Sequence, residues 1–125
     1  MGKQIIESKK VPAPIGPYSQ AVIANGFLFA SGQVAFNPET GELVTSDIVS
    51  ETKQVMENVK SILEAANLSF ANVVKTTIFL SDMGLFAQVN EVYSTYFTSD
   101  FPARETVAVK TLPRNVNIEV SVTAV

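Results

Sequence analysis

The spacing of apolar residues predicts two amphipathic helices. The first covers Ile48–Ala66, and its apolar stripe consists of Ile48, Val55, Met56, Val59, Ile62, Leu63 and Ala66. Asp47 is placed to cap the start of this helix, and Asn67 suits the left-handed conformation that ends one. The acids that fall outside the stripe are expected on a solvated face: Glu51, Glu57 and Glu64.

The second predicted helix is shorter and covers Gly84–Phe97. Its apolar side carries Phe86, Val89, Tyr93 and Phe97. Asp82 precedes this segment as a candidate N-cap.

Six other segments have the β-branched content or the alternation typical of strands: Gln4–Ile6, Ala21–Ala24, Phe27–Ser31, Val73–Leu80, Arg104–Val109 and Val116–Val125. Asn25-Gly26, between the second and third, predicts a type I′ hairpin. Three prolines exclude regular structure from Val11–Pro17, and Asn37–Gly41 has the composition of a turn. The order β-β-β-α-β-α-β-β predicts a single α+β domain over residues 1–125.

Both faces of the predicted sheet carry apolar residues. In the last strand a polar row alternates with an apolar one: Asn117, Glu119, Ser121 and Thr123 against Val116, Ile118, Val120 and Val122. In two other strands both rows are partly apolar. In the third strand Phe27 and Phe29 lie opposite Leu28 and Ala30. In the fourth strand Val73 and Phe79 lie opposite Val74, Ile78 and Leu80. Two helices cover one face only, so the second face is either wet or an interface between copies. The aromatic residues favour self-association.

Composition narrows the possible functions. The net charge of −3 and the absence of a basic run longer than Lys9-Lys10 argue against a nucleic-acid binder. No apolar run is long enough for a bilayer, and Met1–Gln4 lacks signal-peptide character, so a cytoplasmic protein is expected. The chain has no Cys and no His, which removes thiolate chemistry and the usual general base. An enzyme built from it has to use carboxylates, Arg, Lys, Tyr, hydroxyls and backbone groups.

Arginine occurs only at positions 104 and 114. Arg104 opens a predicted strand, where a rigid backbone suits two parallel hydrogen bonds to a carboxylate. A surface arginine paired with a nearby acid is the commoner outcome for such a position. The residues alone leave both interpretations open.

Glu119 is the only acid of the last predicted strand. On a wet face it is a solvated carboxylate, which is the commoner case. In a closed pocket, desolvation would raise its pKa and suit it to proton transfer. Tyr18-Ser19 and Ser31-Gly32-Gln33 bring hydroxyl groups to the ends of elements, which is a weak indication of ligand binding.

Seven segments together resemble the Rid family of reactive intermediate deaminases, also called the YjgF or L-PSP family. They are residues 13–21 (APIGPYSQA), 31–33 (SGQ), 37–43 (NPETGEL), 74–82 (VKTTIFLSD), 86–90 (FAQVN), 101–107 (FPARETV) and 118–120 (IEV). Each segment is weak alone, but the ordered set is highly specific and runs nearly end to end.

The resemblance implies a chorismate-mutase-like α+β fold: a six-stranded mixed sheet with two helices on one face. It also implies a homotrimer around a central barrel, with active sites between subunits. The implied reaction is hydrolysis of enamines and imines of the 2-aminoacrylate and 2-aminocrotonate type to 2-keto acids and ammonia. By the same resemblance, pyridoxal-phosphate-dependent dehydratases are expected to supply these substrates, and the reaction is expected to need no metal or organic cofactor.

The resemblance also assigns roles to residues. It implies that Arg104 binds the substrate carboxylate and that Glu119 positions water and transfers protons. The other substrate-binding positions are Tyr18, Ser31, Gly32, Asn90, Glu105 and Thr106, with Glu105 and Thr106 acting through backbone groups.

Three positions depart from the family pattern. Thr106 stands where many members have Cys, so no thiol acts there. Asn67 stands where relatives often have Gly, which affects a helix cap only. Phe36 is bulkier than in some relatives, which leaves the cleft shape and the substrate preference open.

Two other functions remain possible from sequence. The same Arg104 pocket would serve a non-catalytic module that senses a keto acid and regulates a partner protein. Cleavage of RNA or inhibition of translation, which is also attributed to this family, is disfavoured by the net charge, the absence of His and the lack of a basic patch.

Overall fold

The structure of the protein is a computed structural model that describes residues 2–125. Its elements follow the order expected from the sequence. The strands are β1 (Gln4–Ile6), β2 (Ala21–Ala24), β3 (Phe27–Ala30), β4 (Val73–Leu80), β5 (Ala103–Ala108) and β6 (Ile118–Ala124). The helices are α1 (Ile48–Ala65) and α2 (Phe86–Ser94). Short 3₁₀ turns cover Phe70–Asn72, Met83–Leu85 and Pro113–Asn115.

The strands form one mixed sheet in the order β1-β2-β3-β6-β4-β5. Only β4 and β5 run parallel, and every other neighbouring pair is antiparallel. The hairpin between β2 and β3 has Asn25 at φ 51° and Gly26 at φ 80°, as a type I′ turn requires. The predicted α+β class with a mixed six-stranded sheet is therefore confirmed.

Both helices pack on the same face of the sheet, which we call the closed face. The side chains that meet there are fully buried: Val55, Met56, Val59, Ile62 and Leu63 from α1, and Ile78, Leu80, Ile118 and Val120 from the strands. Burial of each such side chain stabilises the fold by about 1.5–3 kcal/mol. Asp47 caps α1 by accepting a 2.8 Å hydrogen bond from the Ser50 backbone, and Asn67 follows it at φ 60°. Both predictions about the ends of this helix are confirmed.

The second helix is shorter than predicted. Asp82 accepts a 2.6 Å hydrogen bond from the Gly84 backbone, so it caps the 3₁₀ turn before α2 and not α2 itself. At the other end the Thr95 hydroxyl donates to the Val92 carbonyl at 2.6 Å. Such a local bond competes with continuation of the helix. Phe97 still packs in the core.

The start of β4 departs from simple alternation. The register with β6 shifts between Val73 and Lys75. A bulge of this kind adds one residue and reverses the faces of the residues before it. Val73 is therefore buried at 4% exposure and Val74 is 42% exposed. The prediction that placed Val74 beside Ile78 and Leu80 is wrong for this reason.

Glu51 on α1 is fully buried at 0% exposure, so its predicted place on a solvated face is wrong. Its two carboxylate oxygens accept hydrogen bonds from the backbone N–H and the side-chain amide of Asn117, both at 2.8 Å. Asn117 lies just before β6 and directs its amide to α1. It therefore does not join Glu119 on the opposite face, as the alternation predicted.

The face without helices, which we call the open face, exposes apolar side chains. Phe27 is 41%, Phe29 47% and Val107 43% exposed, whereas Leu28 between the two phenylalanines is fully buried. The predicted opposition of Phe27 and Phe29 to Leu28 is confirmed. Across residues 2–125, no helix has the length and apolar character needed to cross a bilayer.

Candidate active site

Arg104 lies on β5 next to α2, and three side chains of that helix hold its guanidinium. Its Nη1 donates to Asn90 Oδ1 at 2.7 Å. The guanidinium carbon is 5.0 Å from the centre of the Tyr93 ring and 5.5 Å from that of Phe86. These contacts fix the cation and leave most of its five N–H donors available to a ligand.

No acid neutralises Arg104 in the part of the chain that the structure describes. The single ion pair there joins Lys75 to Glu105 at 3.3 Å. Arg104 instead borders a cavity of about 430 Å³, which we call the Arg104 pocket, lined by Asn90, Tyr93, Ser94, Phe101, Pro102 and Arg104. The arrangement favours the carboxylate-binding interpretation over an arginine paired with a nearby acid.

The backbone of β5 has one free edge, because this strand is the last in the sheet. The Val109 N–H donates to the Leu80 carbonyl at 2.9 Å. Backbone groups alternate in direction along a strand, so Glu105 points its N–H into the β4 ladder and Thr106 points its N–H to the free edge. Beside Arg104, the geometry thus offers a free backbone donor at Thr106 and none at Glu105.

The side chain of Glu105 lies on the open face. It accepts a 3.0 Å hydrogen bond from the Thr77 hydroxyl and pairs with Lys75. These two contacts, the first above all, hold the pKa of Glu105 below its usual value. Glu105 is therefore engaged in a cross-strand contact away from the Arg104 pocket.

Glu119 lies on β6 and also points to the open face, opposite Phe79 in the β4 register. Its carboxylate is half-buried and accepts no hydrogen bond from residues 2–125, so burial raises the pKa of Glu119. A Cβ atom at position 32 would occupy the space of the Glu119 carboxylate. Gly32 is thus the residue that lets this carboxylate lie against the backbone.

The segment around Gly32 is hydrogen-bonded to β6 and to Ser19, which follows the proline-containing segment Val11–Pro17. Gln33 and Val120 exchange backbone hydrogen bonds of 2.8 and 3.1 Å, and the Ser31 hydroxyl donates to the Ser19 carbonyl at 2.6 Å. A cavity of about 340 Å³ opens here, which we call the Tyr18 pocket. Its lining includes Tyr18, Ser31, Gly32, Phe36 and Arg114.

The structure does not bring Arg104 and Glu119 together within one chain. Arg104 pairs with Thr76, which faces α2 and shares a 2.9 Å hydrogen bond with Tyr93. Glu119 pairs with Phe79 on the other face. The two strands are separated by β4, so their backbones are about 10 Å apart. A small substrate therefore cannot touch both side chains of the same copy.

Sequence reasoning missed the two aromatic residues that hold the Arg104 guanidinium. Phe86 and Tyr93 were assigned to the apolar side of α2, yet their rings also stack on the guanidinium. Their spacing from Asn90, four residues before it and three after, already placed all three on one helix face. Within residues 2–125 no group of three or more acids forms a candidate metal site.

The fold is that of an α+β protein, with an arginine that no described acid neutralises beside one pocket and a half-buried glutamate against Gly32, which lines the other. A family model described as Endoribonuclease L-PSP matches residues 8–125. The chain belongs to this family, the Rid family that the sequence resembles.

Relatives of this chain support the same assignment. A RutC family protein of Pyrococcus abyssi is 50% identical over 99% of this chain and 98% of its own length. The mouse protein named 2-iminobutanoate/2-iminopropanoate deaminase is 46% identical over 98% of this chain and 91% of its own. The crystal structure of a Yersinia pestis protein of the Rid family, whose function is given as unknown, superposes with a TM-score of 0.96 at 46% identity, covering 98% of both chains.

Proposed function

We propose that this protein hydrolyses 2-imino acids and their enamine tautomers to 2-keto acids and ammonia. The observation that carries the proposal is Arg104, a fixed cation that opens onto a cavity and has no acid partner within residues 2–125. Such a group suits the carboxylate that every 2-imino acid carries. The name of the mouse relative supports the same substrate class.

The proposed active site lies between two copies of the chain in a homotrimer. Arg104 and Glu119 face opposite sides of one sheet, so a shared site takes Arg104 from one copy and Glu119 from its neighbour. The exposed Phe27, Phe29 and Val107 of the open face support such an assembly, because aromatic and aliphatic side chains of this size favour an interface.

Substrate binding uses the carboxylate end of the molecule. The Arg104 guanidinium and the Thr106 backbone N–H together hold the carboxylate at the free edge of β5. Tyr18 and Ser31 of the neighbouring copy border the imine. Fixing the substrate against one oriented water removes much of the entropic barrier to hydrolysis.

The chemical steps need one acid–base group. A proton from solvent adds to the enamine carbon and gives the iminium ion, and water then adds to C2 while Glu119 takes a proton from it. Glu119 returns that proton to the nitrogen of the carbinolamine. The C–N bond breaks, ammonia leaves, and loss of the hydroxyl proton completes the keto group. The raised pKa of Glu119 keeps its carboxyl partly protonated at a higher pH than an ordinary glutamate, which suits both roles.

The imine carbon is already electrophilic, so the proposed reaction uses no metal or organic cofactor. A supply of imine by pyridoxal-phosphate-dependent dehydratases and a cytoplasmic location stay predictions.

A coupled assay tests the proposal. A serine/threonine dehydratase generates the imine, semicarbazide competes for it, and keto-acid release reports hydrolysis. The wild type is expected to accelerate release, and Arg104→Ala to lower kcat/KM by roughly 100-fold or more through loss of the carboxylate contact. Lys60→Ala, which removes an exposed cation on α1, is the matched control and keeps full activity.

If a folded, assembled wild type leaves the rate of keto-acid release unchanged, the enzyme proposal fails for these substrates. The keto-acid-sensing module then becomes the leading function.

A further inference from the structure

Arg114, the second arginine of the chain, borders the Tyr18 pocket. Its side chain lines this cavity of about 340 Å³ together with Tyr18, Ser31, Gly32 and Phe36. Gly32 in turn contacts the Glu119 carboxylate. Arg114 therefore stands at the edge of the space that the proposed reaction uses, and no step of that reaction requires a cation there.

The Arg114 guanidinium is positioned but not neutralised. Its central carbon lies 5.5 Å from the centre of the Phe36 ring, a cation–π contact. The one ion pair among residues 2–125 is that of Lys75 with Glu105, so no acid described by the structure pairs with Arg114. Its planar set of N–H donors is available to an anionic ligand, for which two parallel hydrogen bonds are the usual geometry.

The backbone at this position is held in an unfavourable conformation. Arg114 has φ 61° and Asn115 φ 56°, both in the left-handed region. Asparagine tolerates that region, but arginine rarely adopts it. Buried Leu112 and Val116 anchor the two sides of the turn. A strained residue that its surroundings hold in place is often a functional one.

We propose that Arg114 binds a second carboxylate, and that this protein prefers the imines of dicarboxylic 2-keto acids to those of monocarboxylic ones. The inference rests on the proposed function and names its substrate class. Arg104 of one copy holds the carboxylate beside the imine carbon. Arg114, on the copy that supplies Glu119, holds the carboxylate at the far end. The Phe36 ring gives the methylene groups between them an apolar surface.

Arg114→Gly is the sharpest test, because glycine adopts φ 61° without strain. The variant is expected to fold with a Tm no lower than that of the wild type. Lys110→Ala removes another exposed cation that lines neither pocket and serves as the control. An amino-acid oxidase generates the imine of glutamate or of alanine in separate reactions, with semicarbazide as the competitor.

The expected result is a change in preference. Arg114→Gly lowers kcat/KM for the glutamate-derived imine by about tenfold or more and leaves that for the alanine-derived imine within about twofold. Lys110→Ala changes neither. Equal losses for both imines, or no loss for either, overturn the role of Arg114.

A binding measurement separates this inference from the proposed function. Calorimetry measures the affinities for 2-oxoglutarate and pyruvate. In Arg114→Gly the affinity for 2-oxoglutarate is expected to fall about tenfold or more, as for the loss of a charged contact, and the affinity for pyruvate is expected to stay unchanged. If the wild type binds 2-oxoglutarate through Arg114 but hydrolyses neither imine, the deaminase proposal fails and the anion site stands. If 2-oxoglutarate binds equally to both proteins, the anion site fails.

Discussion

The closed and open faces of the sheet each hold one glutamate near the start of β6, and they hold it in opposite ways. On the closed face Glu51 is fully buried and accepts two hydrogen bonds from Asn117. Glu119 follows Asn117 by only two residues, but it lies half-buried on the open face and accepts no hydrogen bond within residues 2–125.

The difference separates an acid with a structural role from the acid to which the proposed function gives a chemical role. Burial alone does not mark a functional carboxylate, because Glu51 is the more buried of the two and each of its oxygens already accepts a hydrogen bond from Asn117. Glu119 has free acceptors in a partly desolvated place, which is costly unless an external donor arrives. Substrate, water or a second copy of the chain is such a donor.

The largest effect is expected on the closed face. Glu51→Ala leaves the partly buried backbone N–H and side-chain amide of Asn117 without their partner, which costs about 2–4 kcal/mol of unfolding free energy. Urea unfolding at fixed protein concentration measures this. Glu64→Ala, an exposed acid on the same helix, is the control. A Glu51→Ala protein as stable as the control contradicts the structural role.

A smaller effect is expected from a charge on the open face. Phe29→Asp places a carboxylate on the predicted interface and is expected to weaken association by roughly 2 kcal/mol or more without unfolding the chain. Light scattering then reports a shift from three times the chain mass of 13.5 kDa towards the single-chain mass.

The control for association is an exposed valine on α1. Val49 is 39% exposed on the helix side of the molecule, and Val49→Asp is expected to leave the mass unchanged. If Phe29→Asp also leaves the mass unchanged, or if the wild type is already a single chain, the open face is not the interface.

The smallest effect is a gain in stability from Glu119→Gln. Burial raises the pKa of Glu119, so the wild type loses stability as the pH rises from the ordinary glutamate range through the raised value. The neutral glutamine avoids this loss. We expect a Tm roughly 2 °C above wild type at pH 7 and no difference below about pH 4. A Tm difference that does not change with pH would show that the desolvated charge is not its source.

Local features were predictable from sequence because local residues determine them. The Asn25-Gly26 hairpin, the Asp47 cap and the stripe of α1 depend on neighbours within one or two turns of chain. The fold class followed from the order of these elements. The end of α2 and the face of Val74 did not, since a competing hydroxyl bond and a bulge are invisible to simple periodicity.

The features of the candidate site that depend on residues far apart in sequence could not be predicted. Glu51 looked solvated because its partner, Asn117, lies 66 residues further along the chain. Arg104 and Glu119 were named individually, but their opposite faces depend on the register of β4 with both β5 and β6. No pattern within one segment contains that information. The family resemblance identified Arg104 and Glu119 as site residues, but it did not show how they are arranged within one chain.

The separation of Arg104 and Glu119 on opposite faces of the sheet also has a consequence for mutant alleles. In an assembly where neighbouring copies join the pockets, an allele that damages the Arg104 pocket still contributes an intact Glu119. An allele that damages Glu119 still contributes an intact Arg104 pocket. A cell that carries both alleles builds mixed assemblies in which one junction is whole. Two individually inactive genes would thus complement each other.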